Sequence, residues 1–100
     1  MANVALLETF TTWGAQLAAS GPSDVTIEVF SGPQTNNPTA RIDISNEHVF
    51  ARITLWADVS FVVEAIDAAT AEMILWRAGD GLDDSRFNLE FNDVLSLFAI

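Results

Sequence analysis

Cysteine, lysine and tyrosine are all missing from this chain, and histidine occurs once. Without cysteine there is no disulfide framework and no thiolate metal site, so nothing in the sequence calls for an oxidising compartment. The one imidazole, His48, allows neither a Ser-His-Asp triad nor a multi-histidine metal centre within a single chain, and at a strand start its expected role is structural or solvated. The lack of lysine leaves four arginines against fourteen acids, a net charge of −10 on 100 residues. Such a surface repels phosphate backbones and anionic lipid, which argues against nucleic acid and membrane as partners. Long hydrophobic runs are absent too: none approaches the roughly 18 apolar residues of a membrane-spanning helix. The first residues carry no basic segment, and Glu8 and Thr9 interrupt their apolar run, so no signal peptide is expected and the cytoplasm is the expected location.

Hydrophobic residues nevertheless make up 50% of the chain, rich in Leu, Ile, Val and Phe with three Trp, which is enough to fold despite the charge. Length and composition fit one domain over residues 1–100. Leu6, Phe10, Trp13 and Leu17 recur at helical spacing, predicting a helix over 3–19 that Asn3 caps and Gly21-Pro22 stops. Gly14 weakens that helix and marks a place where it packs closely on a sheet.

From Asp24 the period changes to two, giving strands at Val25–Phe30, Ala40–Ile44, His48–Trp56, Ser60–Asp67 and Glu72–Arg77. Ser31–Pro38 reads as a loop, with turns at Ser45–Glu47, Ala57-Asp58 and Ala68–Thr70. After a Gly- and Asp-rich loop over Ala78–Asp84, Phe87, Phe91, Val94, Leu95 and Phe98 form a helical stripe running to the C-terminus. Asp83 and Asp84 are placed to cap its start. The predicted fold is α+β, in the order α-β-β-β-β-β-α: an antiparallel meander, because short connections forbid parallel crossovers, with both helices on one sheet face.

The other face is ambiguous, since the third strand carries Phe50 and Trp56 on one side and Ile53 and Leu55 on the other. Either the sheet curls to bury both faces, or one face receives a partner or a second copy. Trp13, Trp56 and Trp76 are core candidates by size, and Trp56 and Trp76 are also the candidate interface anchors.

Chemistry is thinly provided for. Carboxylate pairs suited to glycoside hydrolysis arise by chance among fourteen acids, and no sugar-binding cluster accompanies any of them. The run from Asp80 to Asp84 lacks the ligand spacing of a calcium loop, and Gly79 and Gly81 match no phosphate-binding pattern. No metal or cofactor is implied, and the chain reads as a non-enzyme. Arg41 and Arg52 are expected to pair with strand carboxylates such as Asp43 or Glu64 rather than hold a ligand.

The strand block Ala40-Arg-Ile-Asp-Ile44, Ala51-Arg-Ile-Thr-Leu-Trp56, Val63-Glu-Ala-Ile-Asp67 and Glu72-Met-Ile-Leu75, followed by a C-terminal helix, resembles small bacterial immunity proteins of the TriTu type. These neutralise type VI secreted ADP-ribosyltransferase toxins that act on elongation factor Tu. The turn after Trp56, Ala57-Asp-Val, departs from the glycine-containing turn usual there. The resemblance implies cytosolic capture of a cognate toxin and occlusion of its active site, in interbacterial competition. An acidic domain suits a toxin cleft that is basic because it binds an anionic dinucleotide. The expected contact residues are Trp56, Asp58, Trp76, Asp80, Asp83 and Asp84. The alternative is an acidic secretion chaperone or adaptor for an effector, which dimerisation through an apolar sheet face would favour.

Overall fold

Asn3 starts the first helix by supplying an acceptor that the backbone lacks there: its Oδ1 accepts the Leu6 N–H at 3.0 Å. The helix, α1, spans Val4–Ser20 and buries Leu6, Leu7, Phe10, Trp13 and Gly14 along one side. It ends where Gly21 turns extended and Pro22 follows. The structure, a computed structural model, describes residues 3–32, 36–83 and 86–100.

Five strands succeed one another as β1 (Thr26–Ser31), β2 (Thr39–Ser45), β3 (Val49–Trp56), β4 (Phe61–Asp67) and β5 (Met73–Gly79). They form a single antiparallel sheet in chain order, the meander that the short connections predict. Side-chain carboxylate and amide groups shape the turns. Asn46 Oδ1 accepts the N–H groups of His48 and Val49 between β2 and β3, and Asp67 Oδ1 accepts those of Ala69 and Thr70 between β4 and β5. Those two backbone donors, Ala69 first, hold the Asp67 carboxyl below its ordinary value.

Alternation along β2, β3 and β4 is strict. Ala40, Ile42, Ile44, Ala51, Ile53, Leu55, Phe61, Val63 and Ala65 are buried on one face, and the intervening residues are not. Among the described residues, only this inner face is covered. An aromatic layer from the helical segments lies over it, with Phe10 5.7 Å from Phe87, Trp13 5.3 Å from Phe87 and Phe61 5.5 Å from Phe91, centroid to centroid. Trp13 is therefore a core residue, and its indole N–H is satisfied by Asn88 Oδ1 at 3.0 Å.

The C-terminal stripe is shorter-ranged than its spacing predicts. Two short helices, α2 (Phe87–Glu90) and α3 (Asn92–Ser96), replace one continuous helix, and Phe91 at φ −102°, ψ 16° joins them. Phe91 is itself fully buried, so the break turns its ring onto Phe61 while Val94 and Leu95 still reach the core. The expected capping by Asp83 and Asp84 at the start of α2 lies partly outside the described residues. The N-cap of α2 is Arg86, which carries no side-chain capping bond, and Asp83 contributes a backbone carbonyl to the Arg86 N–H at 3.0 Å. Asp84 lies outside the described residues.

Gly14 has the packing reason that its position in the helix implies. A methyl group there would stand 2.7 Å from Ile42 Cδ1 and 2.9 Å from Val29 Cγ2. Overpacking a filled core costs about 1–3 kcal/mol, whereas alanine gains at most about 1 kcal/mol in helix propensity. Gly14→Ala is therefore expected to lower the melting temperature by several degrees, about 4–8 °C per kcal/mol at this size. A rise in melting temperature, measured by circular dichroism, would show that Ile42 and Val29 yield without cost.

Candidate interaction surface

With the helices on one side, the outer sheet face is left to solvent, and the strand register arranges it in transverse rows. One row crosses all five strands as Glu28, Asp43, Arg52, Glu64 and Trp76. A second runs Phe30, Arg41, Thr54, Val62 and Ala78, and a third Thr26, Ser45, Phe50, Ile66 and Met73. Directly opposed side chains in such rows are within reach of one another, so the face divides by chemistry into two halves.

The half over β1–β3 centres on a charged cluster. Asp43, largely shielded, accepts a two-pronged contact from Arg52, Nε at 2.8 Å and Nη2 at 3.2 Å, and its other neighbour, Arg41 Nε, is 3.5 Å away. The hydrogen bond to Asp43 raises the Arg52 pKa further above its ordinary value. Arg41 also lies over the Phe30 ring at 4.2 Å, and its Nε is covered without a hydrogen-bond partner. Trp56, half-buried and opposite Thr39, walls a recess of about 280 Å³ next to these two guanidinium groups. The expected pairing of Arg41 and Arg52 with Asp43 is what the structure shows.

The half over β4–β5 is apolar and exposed. Trp76 and Met73 are each 58% accessible and Ile74 45%. A register shift in β4–β5 puts Ala65 opposite Leu75 and Ile66 opposite Met73, so Ile74 is the extra residue of a bulge. On the inner side of the same strand Arg77 turns the other way. Its guanidinium donates to Asp93, Nε at 2.8 Å and Nη2 at 3.1 Å, and to the Glu90 carbonyl, tying β5 to α3.

At one end of the sheet the β3–β4 turn meets the connection after β5, where the Leu82 N–H reaches the Val59 carbonyl at 3.4 Å. Asp58 Oδ1 accepts the Ser60 hydroxyl and N–H, and Asn37 Nδ2 donates to Asp58 Oδ2 at 3.1 Å. The Ser60 hydroxyl first, and its N–H next, hold the Asp58 carboxyl below its ordinary value. Val59 takes φ 66° in this turn, a left-handed conformation costly for a β-branched residue and the place where a glycine would relieve strain. Asp80, Asp83, Arg86 and Glu90 line a shallow recess beside it, so an arginine stands among these acids.

Of the expected contact residues, Trp56, Asp58, Asp80 and Asp83 thus gather towards one end of the sheet, with Trp76 in the middle of its edge strand. Met73, Ile74 and Phe50 share the outer surface and escape a reading based on spacing. The available signal was Met73-Ile-Leu-Trp76, an unbroken apolar run in a strand whose neighbours alternate. Among the described residues, Glu28, Asp58, Glu64, Asp67, Glu72 and Asp80 form no ion pair, because Arg41, Arg52 and Arg77 are engaged with Asp43, Asp93 and Glu90.

Among the described residues, the sheet is covered on one side and presents on the other a broad outer face edged by acids. The chain belongs to the TriTu immunity protein family, whose model matches residues 8–97. That membership assigns it to toxin neutralisation. A search of curated proteins finds no match to it.

The Arg77–Asp93 tie yields a test of the sheet-to-helix contact. Arg77 first, then the Val94 N–H, holds the Asp93 carboxyl below its ordinary value. Its contribution is therefore complete above the unfolded-chain value of about 4 and is lost as pH falls through the lower folded value. Asp93→Asn should melt below the parent at neutral pH, by about 1 kcal/mol of stability, given a partly exposed pair. Thermal melts should show that gap closing as pH drops below about 4. A gap that persists at about pH 2 would mean that the substitution acts through packing rather than charge.

Proposed function

We propose that this protein is a non-catalytic antidote that binds a cognate secreted ADP-ribosyltransferase toxin in the cytoplasm and covers its active site, protecting the cell during type VI-mediated competition between bacteria. Family membership over residues 8–97 supports toxin binding, and the resemblance of the strand block to the TriTu type supplies the toxin class. The observation that carries the mode of binding is the charge arrangement. Among the described residues, Arg41, Arg52 and Arg77 are engaged with Asp43, Asp93 and Glu90, and Glu28, Asp58, Glu64, Glu72 and Asp80 form no ion pair. A toxin cleft that takes an anionic dinucleotide is basic, and an acidic surface both steers towards it and competes for it. The chain itself offers no second imidazole, no thiol and no lysine for group-transfer chemistry. No helix among the described residues is long and apolar enough to cross a membrane, in keeping with action on a toxin in aqueous solution.

The test is co-expression with the toxin encoded beside its gene. The expected results are restored growth, a complex that co-purifies, and inhibition of elongation factor Tu modification at one equivalent of the protein. Absence of both protection and complex would contradict the proposal. Replacing Asp80, Asp83 and Asp84 together by Asn should weaken binding and flatten its salt dependence, measured by titration calorimetry at two ionic strengths. Unchanged affinity and salt slope would remove the β5–α2 connection from the interface.

A further inference from the structure

β5 is an edge strand built against the usual rules for edges. Edges exposed to solvent are commonly guarded by Lys, Pro or short length, because unpaired N–H and C=O groups beside apolar side chains invite another chain. β5 has seven residues and neither Lys nor Pro, and Met73, Ile74 and Trp76 stand out from it. Phe50 and Ile66 continue the same patch inward along the row that ends at Met73. The bulge at Ile74 widens it, since it sets Met73 opposite Ile66 in the outer row, where an unshifted register would turn Met73 to the inner side opposite Asp67.

Carboxylates surround this patch on three sides. Glu64 is directly opposite Trp76, Asp67 and Glu72 stand at the end where β5 begins, and Asp80 follows its last residue. The nearest cation on this face, Arg52, is held by Asp43, and Arg77 is turned to the inner side and held by Asp93. The rim is therefore acidic, with Arg52 facing Glu64 but bonded to Asp43 and with Arg86 beside Asp80, whereas the patch it encloses is aromatic and aliphatic.

We infer that the apolar half of the outer sheet face, centred on Trp76 and edged by Glu64, Glu72 and Asp80, is the docking surface for the toxin, and that it takes an apolar or aromatic spot ringed by Lys or Arg. This rests on the proposed function and assigns it a place. A second copy of the chain is a poor occupant, because two molecules that each carry −10 repel one another and an acidic rim offers no cation to an identical rim. Aromatic anchors inside an acidic rim have the anatomy of an interface hot spot. The apolar centre supplies affinity and the charges supply rate and selectivity. The charged cluster of Arg41, Arg52 and Asp43 lies outside it, because its members are already engaged with one another.

The experiment compares Trp76→Ala, Glu72→Gln and Leu89→Ala with the parent, each titrated with the purified toxin domain encoded beside the gene. Leu89 is 69% exposed on α2, away from the outer face, and serves as a control for loss of exposed apolar area. Trp76→Ala should weaken binding about 30-fold or more, with its melting temperature near the parent's because the side chain is largely exposed. Glu72→Gln should lower the association rate and reduce its salt dependence, and Leu89→Ala should bind as the parent does. Parent affinity in Trp76→Ala overturns the assignment of the face while leaving the proposed function intact. Failure of the parent itself to bind overturns both. Concentration-dependent dimerisation of the parent that Trp76→Ala abolishes would overturn the assignment in favour of a second copy.

Discussion

Phe10 and Trp13 from the first helix meet Phe87 and Phe91 from the last segment over a floor of Ile42, Ile53, Val63 and Phe61, and the placing of the other elements depends on that contact. The rings join the two ends of the chain across the same sheet face, each burying a side chain at a gain of about 1.5–3 kcal/mol. Once both helical segments are committed to one side, the opposite side has nothing in the described structure to cover it. The outer face is thus a consequence of how the core closes rather than a separate feature of the fold.

Electrostatics then divides that face. A chain with four arginines and no lysine has few ways to compensate fourteen acids, and it uses them sparingly. Arg41 and Arg52 converge on Asp43 in the middle of the sheet, and Arg77 ties the edge strand to α3 through Asp93 and Glu90. Each of these contacts fixes structure where a strand or a layer boundary needs it. The outcome is an excess of negative charge at the sheet's periphery and around Trp76, where an approaching basic surface would feel it first.

Much of this was legible in the sequence. Period-two alternation located the first four strands and the turn at Ala68–Thr70 set off the fifth, and the short connections fixed the antiparallel order, because physical constraints on strand pairing leave little choice. Asn3, Gly14 and Gly21 carried local signals that the structure matches at the cap, the close packing and the helix end. The choice of covered face was not legible. Phe50 and Trp56 are as apolar as Ile53 and Leu55, and only the register, which aligns Glu28, Asp43, Arg52 and Glu64 in one row, reveals which set faces out. The break at Phe91 was hidden because the stripe Phe87, Phe91, Val94, Leu95 and Phe98 satisfies a helical period whether or not the backbone continues through it. The exposed half of the candidate surface escaped notice because a bulge at Ile74 changes which side chains stand out, and no pattern in a single strand records its partner's register.

The same fold that closes its core on one side presents Trp76 and its neighbours on the other, and the proposed role in toxin capture turns on that face being used. Amide hydrogen exchange of the protein alone and bound to its toxin domain addresses this most directly. Slower exchange over Met73–Gly79 on binding, with α1 unchanged, is the predicted result. Slowing confined to α1 and the C-terminal helices, with Met73–Gly79 exchanging as in the free protein, would contradict it.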